Sequence, residues 1–395
     1  MLSRCRALRN TFGYYAMFAC IGLSVGIIGP TIPSLAVQTH TSEGVVGGIF
    51  LAGPVGGLIG TYLGGRLFDR IERGHLILGL AQLFSAVMFF LIPVFPVFWA
   101  LLLVNALLGF SNGFVNTGSN TFLMWTHREK AAPFMNGLHF FFGLGAFGAP
   151  FIFARLISGG GNYREAYWVL AAMVFLTGVG VLFLGKSPHS PHKDDNGNGV
   201  ISMRPYLPVI IAAVCYLFFY VGSEITFGQW IFTYATNLRA ATDAQAAYLT
   251  SGFWLAFTVG RLVSIPAAAR MKLEFVIGVS LLACLTIPAL LLFVTPGLRL
   301  IWIVSASLGF FMAPLWPSGY TLAGQSVKLT ARMSSIILFG DVIGGMILPS
   351  MTGKLIEKFG PGMMVKLVMA SILLTAVSFV VMIRGRRIVS SRNSR

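Results

Sequence analysis

The sequence predicts an all-α polytopic membrane protein: twelve transmembrane helices in two pseudo-symmetric six-helix bundles. Composition is the first ground. Of 395 residues, 56% are hydrophobic and only 10% charged, against about 25% charge in a soluble domain. The second is a succession of about twelve apolar segments, each long enough for the roughly 20 residues a bilayer requires. The third is a weak internal similarity whose offset stays near 200 residues.

The segments run over 12–37, 44–65, 75–95, 97–125, 131–157, 166–185, 205–235, 244–269, 273–294, 298–325, 331–353 and 361–383. Several exceed the minimum, which predicts tilt or kinks. The 46 glycines suit close approach of membrane helices. No cleavable signal peptide is expected, because the first segment is too long and lacks a cleavage pattern.

Basic residues set the orientation. One side receives Arg4, Arg6 and Arg9; Arg66, Arg70 and Arg73; Arg128 and Lys130; Lys186, Lys193 and Arg204; Arg270 and Lys272; Lys328 and Arg332; and the tail from Arg384. The other has Arg155, Arg164, Arg239, Arg299, Lys354, Lys358 and Lys366. Both termini are therefore expected in the cytoplasm, with the chain in the cell membrane. The net charge of +16 follows from this punctuation of apolar segments, so no nucleic-acid partner is implied. Cys5, Cys20, Cys215 and Cys284 are scattered and form no disulfide framework.

The longest polar stretch, 186–204, reads as a cytoplasmic linker. It divides the chain into an N-terminal bundle at 1–185 and a C-terminal bundle at 205–395 with a short basic tail. His189 and His192 are read as solvated linker residues rather than metal ligands. The halves echo each other in "IGLS" at 21–24 and "VGSE" at 221–224, in "LGF" at 108–110 and 308–310, and in "FG" at 142–143 and 339–340. A constant offset argues for a duplicated unit.

The loop 64–75, "GGRLFDRIERGH", resembles the signature G-x-L-x-D-R-x-G-R-R/K of the major facilitator transporters. Gly65, Leu67, Asp69, Arg70 and Arg73 match; Glu72 and Gly74 depart from it. The resemblance implies a cytoplasmic gate, with Asp69 at the positive end of a facing helix and Arg70 and Arg73 pairing with acids. The plainer reading is ordinary positive-inside charge and a tight turn. The corresponding loop of the second half, "AAARMKLEF", lacks the pattern.

Of the twelve acids, only Glu224 and Asp341 fall at membrane depth. A carboxylate there costs about 2.5–3.5 kcal/mol on insertion scales, so each is a candidate site. Asp341 and Arg261 share a depth at about 1.5 Å per residue, and a structural ion pair is the preferred reading, with ion coupling as the alternative. Glu224 has no basic residue at matching depth in its own half. It is the better candidate for protonation or for binding a cation or cargo.

In the fourth segment Asn112, Asn116 and Asn120 recur at i, i+4 and i+8, with Asn105 on the same face. Amides supply donors and acceptors without charge, which suits hydroxyl-rich cargo; interhelical bonding is the alternative. Gln229, Trp230, Trp316 and Tyr320 are the candidate partners of this stripe, since sugars stack C–H faces on rings. Asn136 and His139 begin the fifth segment, where His139 reads as a structural histidine rather than a relay. "GPTIP" (Pro30, Pro33) and "APLWP" (Pro314, Pro317) predict helix breaks, which membranes tolerate beside protein or a water-filled cavity.

Several stretches are similar to the sodium-dependent glucose transporter branch, relatives of fucose-permease-like carriers: "GIIGPTIPSLAVQTHTS", "NTGSNTF", "GLHFFFGLGAFGAPF", "YVGSEITFGQWIFTYA" and "GRLVSIP". The resemblance implies uptake of a monosaccharide such as glucose by alternating access, with sodium or protons as the coupling ion. Alternatives are proton-driven efflux of amphiphilic compounds or lipid-like cargo, and a non-transporting receptor or scaffold. No enzyme motif, metal-ligand cluster or ATP-binding domain is read from the sequence. The expected partners are a small-molecule substrate and the lipid bilayer, with a monomer as the working unit.

Overall fold

The computed structural model describes residues 2–68, 71, 73–188, 207–294, 296–326 and 331–393. The described chain is helical throughout: α1 Leu2–Gln38, α2 Glu43–Val46, α3 Ile49–Phe68, α4 Gly74–Leu91, α5 Phe98–His127, α6 Ala131–Ser158 and α7 Tyr163–Leu182. Then follow α8 Leu207–Asn237, α9 Asp243–Arg270, α10 Leu273–Phe293, α11 Leu298–Met312, α12 Leu315–Ser326, α13 Ala331–Phe359 and α14 Gly362–Asn393. Among the described residues eleven stretches are long and apolar enough to cross a membrane, α2 with α3 and α11 with α12 each counting as one. The eighth expected span, α9, has the length, at 28 residues, but carries Arg261 and falls outside that set. The linker from residue 189 onward lies outside the described residues.

Contacts divide the chain into residues 1–195 with 243–251, and residues 196–242 with 252–395. In the first unit α1 packs along α6, α3 along α5 and α4 along α7. In the second, α8 packs along α13 and α10 along α14, while α9 meets α11 at Gly260 and Gly309. Each pairing in one unit thus has its counterpart in the other.

The duplication reaches individual backbone atoms. A Cβ on Gly109 would collide with the carbonyl of Gly53, and one on Gly309 with that of Phe253. A Cβ on Gly60 would meet the Phe110 carbonyl, and one on Gly260 the Phe310 carbonyl. Both sets are displaced by 200 residues. On α1 and α6, Gly22 and Gly145 abut Phe142 and Ala19; on α8 and α13, Gly344 abuts Phe218. Glycine is required here because one backbone rests on another, as membrane packing favours.

Local signals end and start the helices. Ser42 caps α2 by accepting from Val45 N, and Asn162 caps α7 by accepting from Arg164 N and Glu165 N. Gly185, at φ +82°, takes the left-handed turn just beyond α7. The tenth segment breaks between α11 and α12, where Pro314 and Pro317 remove two helix donors. Outer faces carry exposed apolar side chains such as Ile59, Phe90, Leu176, Leu282 and Phe293, as lipid contact demands. Inside the first unit, Tyr14, Phe18, Phe68, Leu78 and Phe122 form a buried cluster.

Gly109→Val and Gly309→Val are expected to destabilise the protein by about 1–3 kcal/mol each, the range for overpacking. Thermal unfolding of the detergent-purified variants checks this, and equal sensitivity in the two halves would mark the shared packing.

Candidate functional site

In the second unit three polar side chains share one face of α8. Tyr216, Tyr220 and Glu224 follow at four-residue spacing, so they stack along a single stripe. Glu224 is buried. The Tyr220 hydroxyl lies 2.5 Å from Glu224 Oε2 and 2.8 Å from the carbonyl of Met312. Tyr216 donates to the carbonyl of Leu315 at 2.9 Å. Met312 ends α11 and Leu315 opens α12, so the two phenols serve carbonyls on either side of the helix break. Met312 closes α11, and the last carbonyls of a helix need such outside donors.

Asp341 of α13 is half-buried, and its Oδ2 accepts from Trp316 Nε1 at 2.8 Å. Trp316 stacks on Tyr320 with ring centroids 5.4 Å apart and planes at 17°. Asp341 therefore fixes the tilt of a two-ring platform. The expected Arg261–Asp341 ion pair is not formed. The Arg261 guanidinium lies over the Phe257 ring, 4.6 Å from its centroid, and Arg261 Nε has no hydrogen-bond partner. Trp316 takes the carboxylate, and a cation–π contact holds the cation. Its charge still acts on both Glu224 and Asp341, and the Asp341 charge acts on Glu224. Glu224 thus sits within reach of a positive field that depth-matching inside its own half did not reveal.

Gln229 and Trp230 lie in the packed interior. Trp230 donates from Nε1 to the Pro349 carbonyl at 2.9 Å. This ties α8 to α13 and gives Trp230 a role in packing rather than a surface for cargo.

In the first unit the α5 amides separate. Asn105 is buried and donates to its own helix at the Leu101 carbonyl, 3.0 Å away, so it leaves the expected stripe. Asn116 is exposed, while Asn112 and Asn120 are half-buried. Asn120 Nδ2 donates to Asn116 Oδ1 at 2.8 Å and to Asn116 O at 2.9 Å. The two amides form a prealigned pair with capacity to spare. Asn136 and His139 are exposed on α6, and His139 sits edge-on to Phe18.

Of the expected gate residues, Asp69 and Arg70 lie outside the described residues. Gly65 occupies the last turn of α3 with open space around it, and Arg73 is an exposed residue preceding α4. Sequence reasoning missed a clasp beside them. Arg9 donates to the Leu184 carbonyl at 3.0 Å, and Arg6 to Lys186 O at 3.4 Å. His75 Nδ1 meets Gly185 O at 2.9 Å, and Gly74 N donates to Ser187 Oγ at 3.0 Å. Residues 184–187 are thereby fastened to the ends of α1 and α4. Tyr216 and Tyr220 were also missed, because a phenol carries no charge to stand out in an apolar run; their spacing from Glu224 was the available signal.

A cavity of about 620 Å³ beside α9 and α11 is lined by Leu255, Val259, Trp302, Phe310 and Phe311. It touches none of the polar groups above. Among the described residues no three His, Cys, Asp or Glu side chains gather to hold a metal ion.

The break expected at Pro30 and Pro33 does not form, since both lie inside the continuous α1. The matched helix pairs, the one proline break between α11 and α12 and the intramembrane carboxylates are those of a secondary membrane transporter. The sequence profile of the Major Facilitator Superfamily matches residues 14–349, and the chain belongs to that family. It is 30% identical to mouse sodium-dependent glucose transporter 1A, over 93% of this chain and 95% of that one. It is 28% identical to human sodium-dependent glucose transporter 1, over 87% and 73%. Major facilitator superfamily domain-containing protein 4A of Pongo abelii is 22% identical over 90% and 88%. Among solved structures, nucleoside transporter NupG superposes with a TM-score of 0.74 at 14% identity, covering 96% and 98%. A bacterial homolog of the human lysosomal transporter Spinster gives 0.66 at 14%, covering 98% and 96%. The twelve-helix, two-bundle fold expected from the sequence is therefore the family's.

The Leu315 and Pro349 carbonyls both lie within helices, so the side-chain donor is a second partner and its loss costs the net worth of one hydrogen bond, about 0.5–1.5 kcal/mol. Tyr216→Phe and Trp230→Phe are each expected to lose stability in that range. Chemical unfolding in detergent would measure it, and an unchanged midpoint would show that the two bonds contribute nothing.

Proposed function

We propose that the protein carries a monosaccharide such as glucose across the cell membrane by alternating access, driven by an ion gradient. The observation that carries this reading is the Trp316–Tyr320 platform braced by Asp341. Stacked rings offer a flat apolar face to sugar C–H groups. The Asn116–Asn120 pair, with Asn112, supplies the uncharged donors and acceptors that hydroxyls need. The kinship with proteins named for sodium-dependent glucose transport supports the substrate class. It weighs against efflux of amphiphiles and against a receptor or scaffold.

Glu224 is the proposed coupling group, with Asp341 positioning the platform. An intramembrane carboxylate with several alternative partners, here Tyr220, Arg261 and Asp341, suits a site that changes occupancy during a cycle. Sodium and protons are the two candidate ions. Gly65, Asp69, Arg70 and Arg73 are the proposed gate. Both termini are proposed to face the cytoplasm, from the asymmetry of Lys and Arg. We read the chain as a monomeric carrier without catalytic activity, resident cofactor or nucleic-acid partner.

Labelled glucose uptake into proteoliposomes, under a sodium gradient, a proton gradient or neither, tests the reading. Wild type is expected to accumulate glucose under one of the gradients. Glu224→Gln is expected to lose accumulation while retaining glucose exchange. Trp316→Ala is expected to weaken glucose binding about tenfold or more, because a sugar-stacking ring and the Asp341 brace disappear together. Absence of glucose movement under every condition would overturn the sugar assignment.

A further inference from the structure

Three oxygens stand in a row between α8 and the end of α11. Glu224 Oε2 and Tyr220 Oη are 2.5 Å apart, and Tyr220 Oη and Met312 O are 2.8 Å apart. Both separations are hydrogen-bond distances, and two full-strength bonds need two protons, since one proton shared by two acceptors makes only a three-centre bond. The Tyr220 hydroxyl has one to give. A backbone carbonyl only accepts. Both contacts are as short as full bonds, so we take two protons to be present, and the second then falls to the Glu224 carboxyl.

We infer that Glu224 is a carboxylic acid in this conformation, donating to Tyr220, which in turn donates to Met312 O. When Glu224 ionises, its O–H bond breaks, its proton passes to water and no other covalent bond changes. The carboxylate then draws the Tyr220 hydrogen to itself, and the Met312 carbonyl loses that donor. Tyr220 is thus a positioning residue. It reports the protonation state of α8 to the break between α11 and α12. The inference rests on Glu224 as the coupling group and names the proton as its ion. A sodium ion seated between the two side-chain oxygens would replace the shared proton rather than join it.

The surrounding charges fit this assignment. Arg261 of α9 and Asp341 of α13 are the charged side chains acting on Glu224, with Tyr220 on its own helix. Tyr216 lies one turn further along and is occupied by Leu315 O. Asp341 provides an internal contrast. Its Oδ2 accepts one N–H from Trp316, and that bond requires no added proton.

The test is infrared titration of the full-length protein in lipid, in potassium and in sodium buffers, without sugar. A protonated-carboxyl band is expected that disappears as pH rises. It should be absent from Glu224→Gln, retained in Asp341→Asn, and shifted in Tyr220→Phe, where the acid has lost its acceptor. In proteoliposomes, the pH profile of glucose accumulation should move in Tyr220→Phe as well. Lack of the band in wild type, or a band indifferent to Tyr220→Phe, overturns the proposal. So does a band seen only when sodium is withdrawn, which would give the site to sodium. Wild type and Glu224→Gln alone decide the protonation state, so the test survives a Tyr220→Phe variant that fails to fold. The spectra need no cargo, so this inference and the sugar assignment fail separately.

Discussion

A bilayer interior offers no hydrogen bonds, so every polar atom placed there must find its partner inside the protein. That constraint accounts for the continuous helices, and it also accounts for the exceptions. Where Pro314 and Pro317 interrupt the helix, two tyrosines from α8 arrive to serve the flanking carbonyls. Where Asp341 enters the membrane, an indole N–H meets it. Tyr216, Tyr220 and Trp316 each bring a donor to an acceptor on another helix or helix segment, while Arg261 settles on an aromatic face.

The same constraint shapes the two halves differently. In the first unit, α5 carries uncharged amides, one turned onto its own backbone and two bonded to each other. In the second, α8, α9 and α13 carry ionisable groups within each other's field. The two units therefore hold unlike chemistry on a shared frame, with amides along α5 in one and ionisable groups on α8, α9 and α13 in the other.

Much of this was legible in the sequence. Apolar length gave the helices, and the 200-residue offset gave the duplication. Glu224 and Asp341 stood out because an acid in an oily run has few innocent explanations. Partners were harder to read. Arg261 and Asp341 share a depth along the membrane, yet depth says nothing of azimuth, and Trp316 occupies the carboxylate instead. Trp230 looked like a cargo surface because sugars stack on rings, but its face of α8 turns toward α13. Asn105 fitted the stripe by angle and was lost to its own backbone. Tyr220 was invisible for a different reason. Its importance comes from a hydroxyl placed between two helices that are distant in sequence.

The glycine contacts bear on how such a protein can change over evolutionary time. Because Gly60 and Gly109 meet carbonyls rather than side chains, the seam between α3 and α5 does not read the identity of surrounding residues. Those residues are free to diverge, and the two halves have done so almost completely. Length is not free. One residue inserted between Gly53 and Gly60 would rotate the rest of α3 by about 100° and carry a bulky side chain into the seam. Change in these helices should therefore accumulate as substitutions while insertions are confined to the connecting loops, so the numbering offset outlasts the sequence similarity that first produced it.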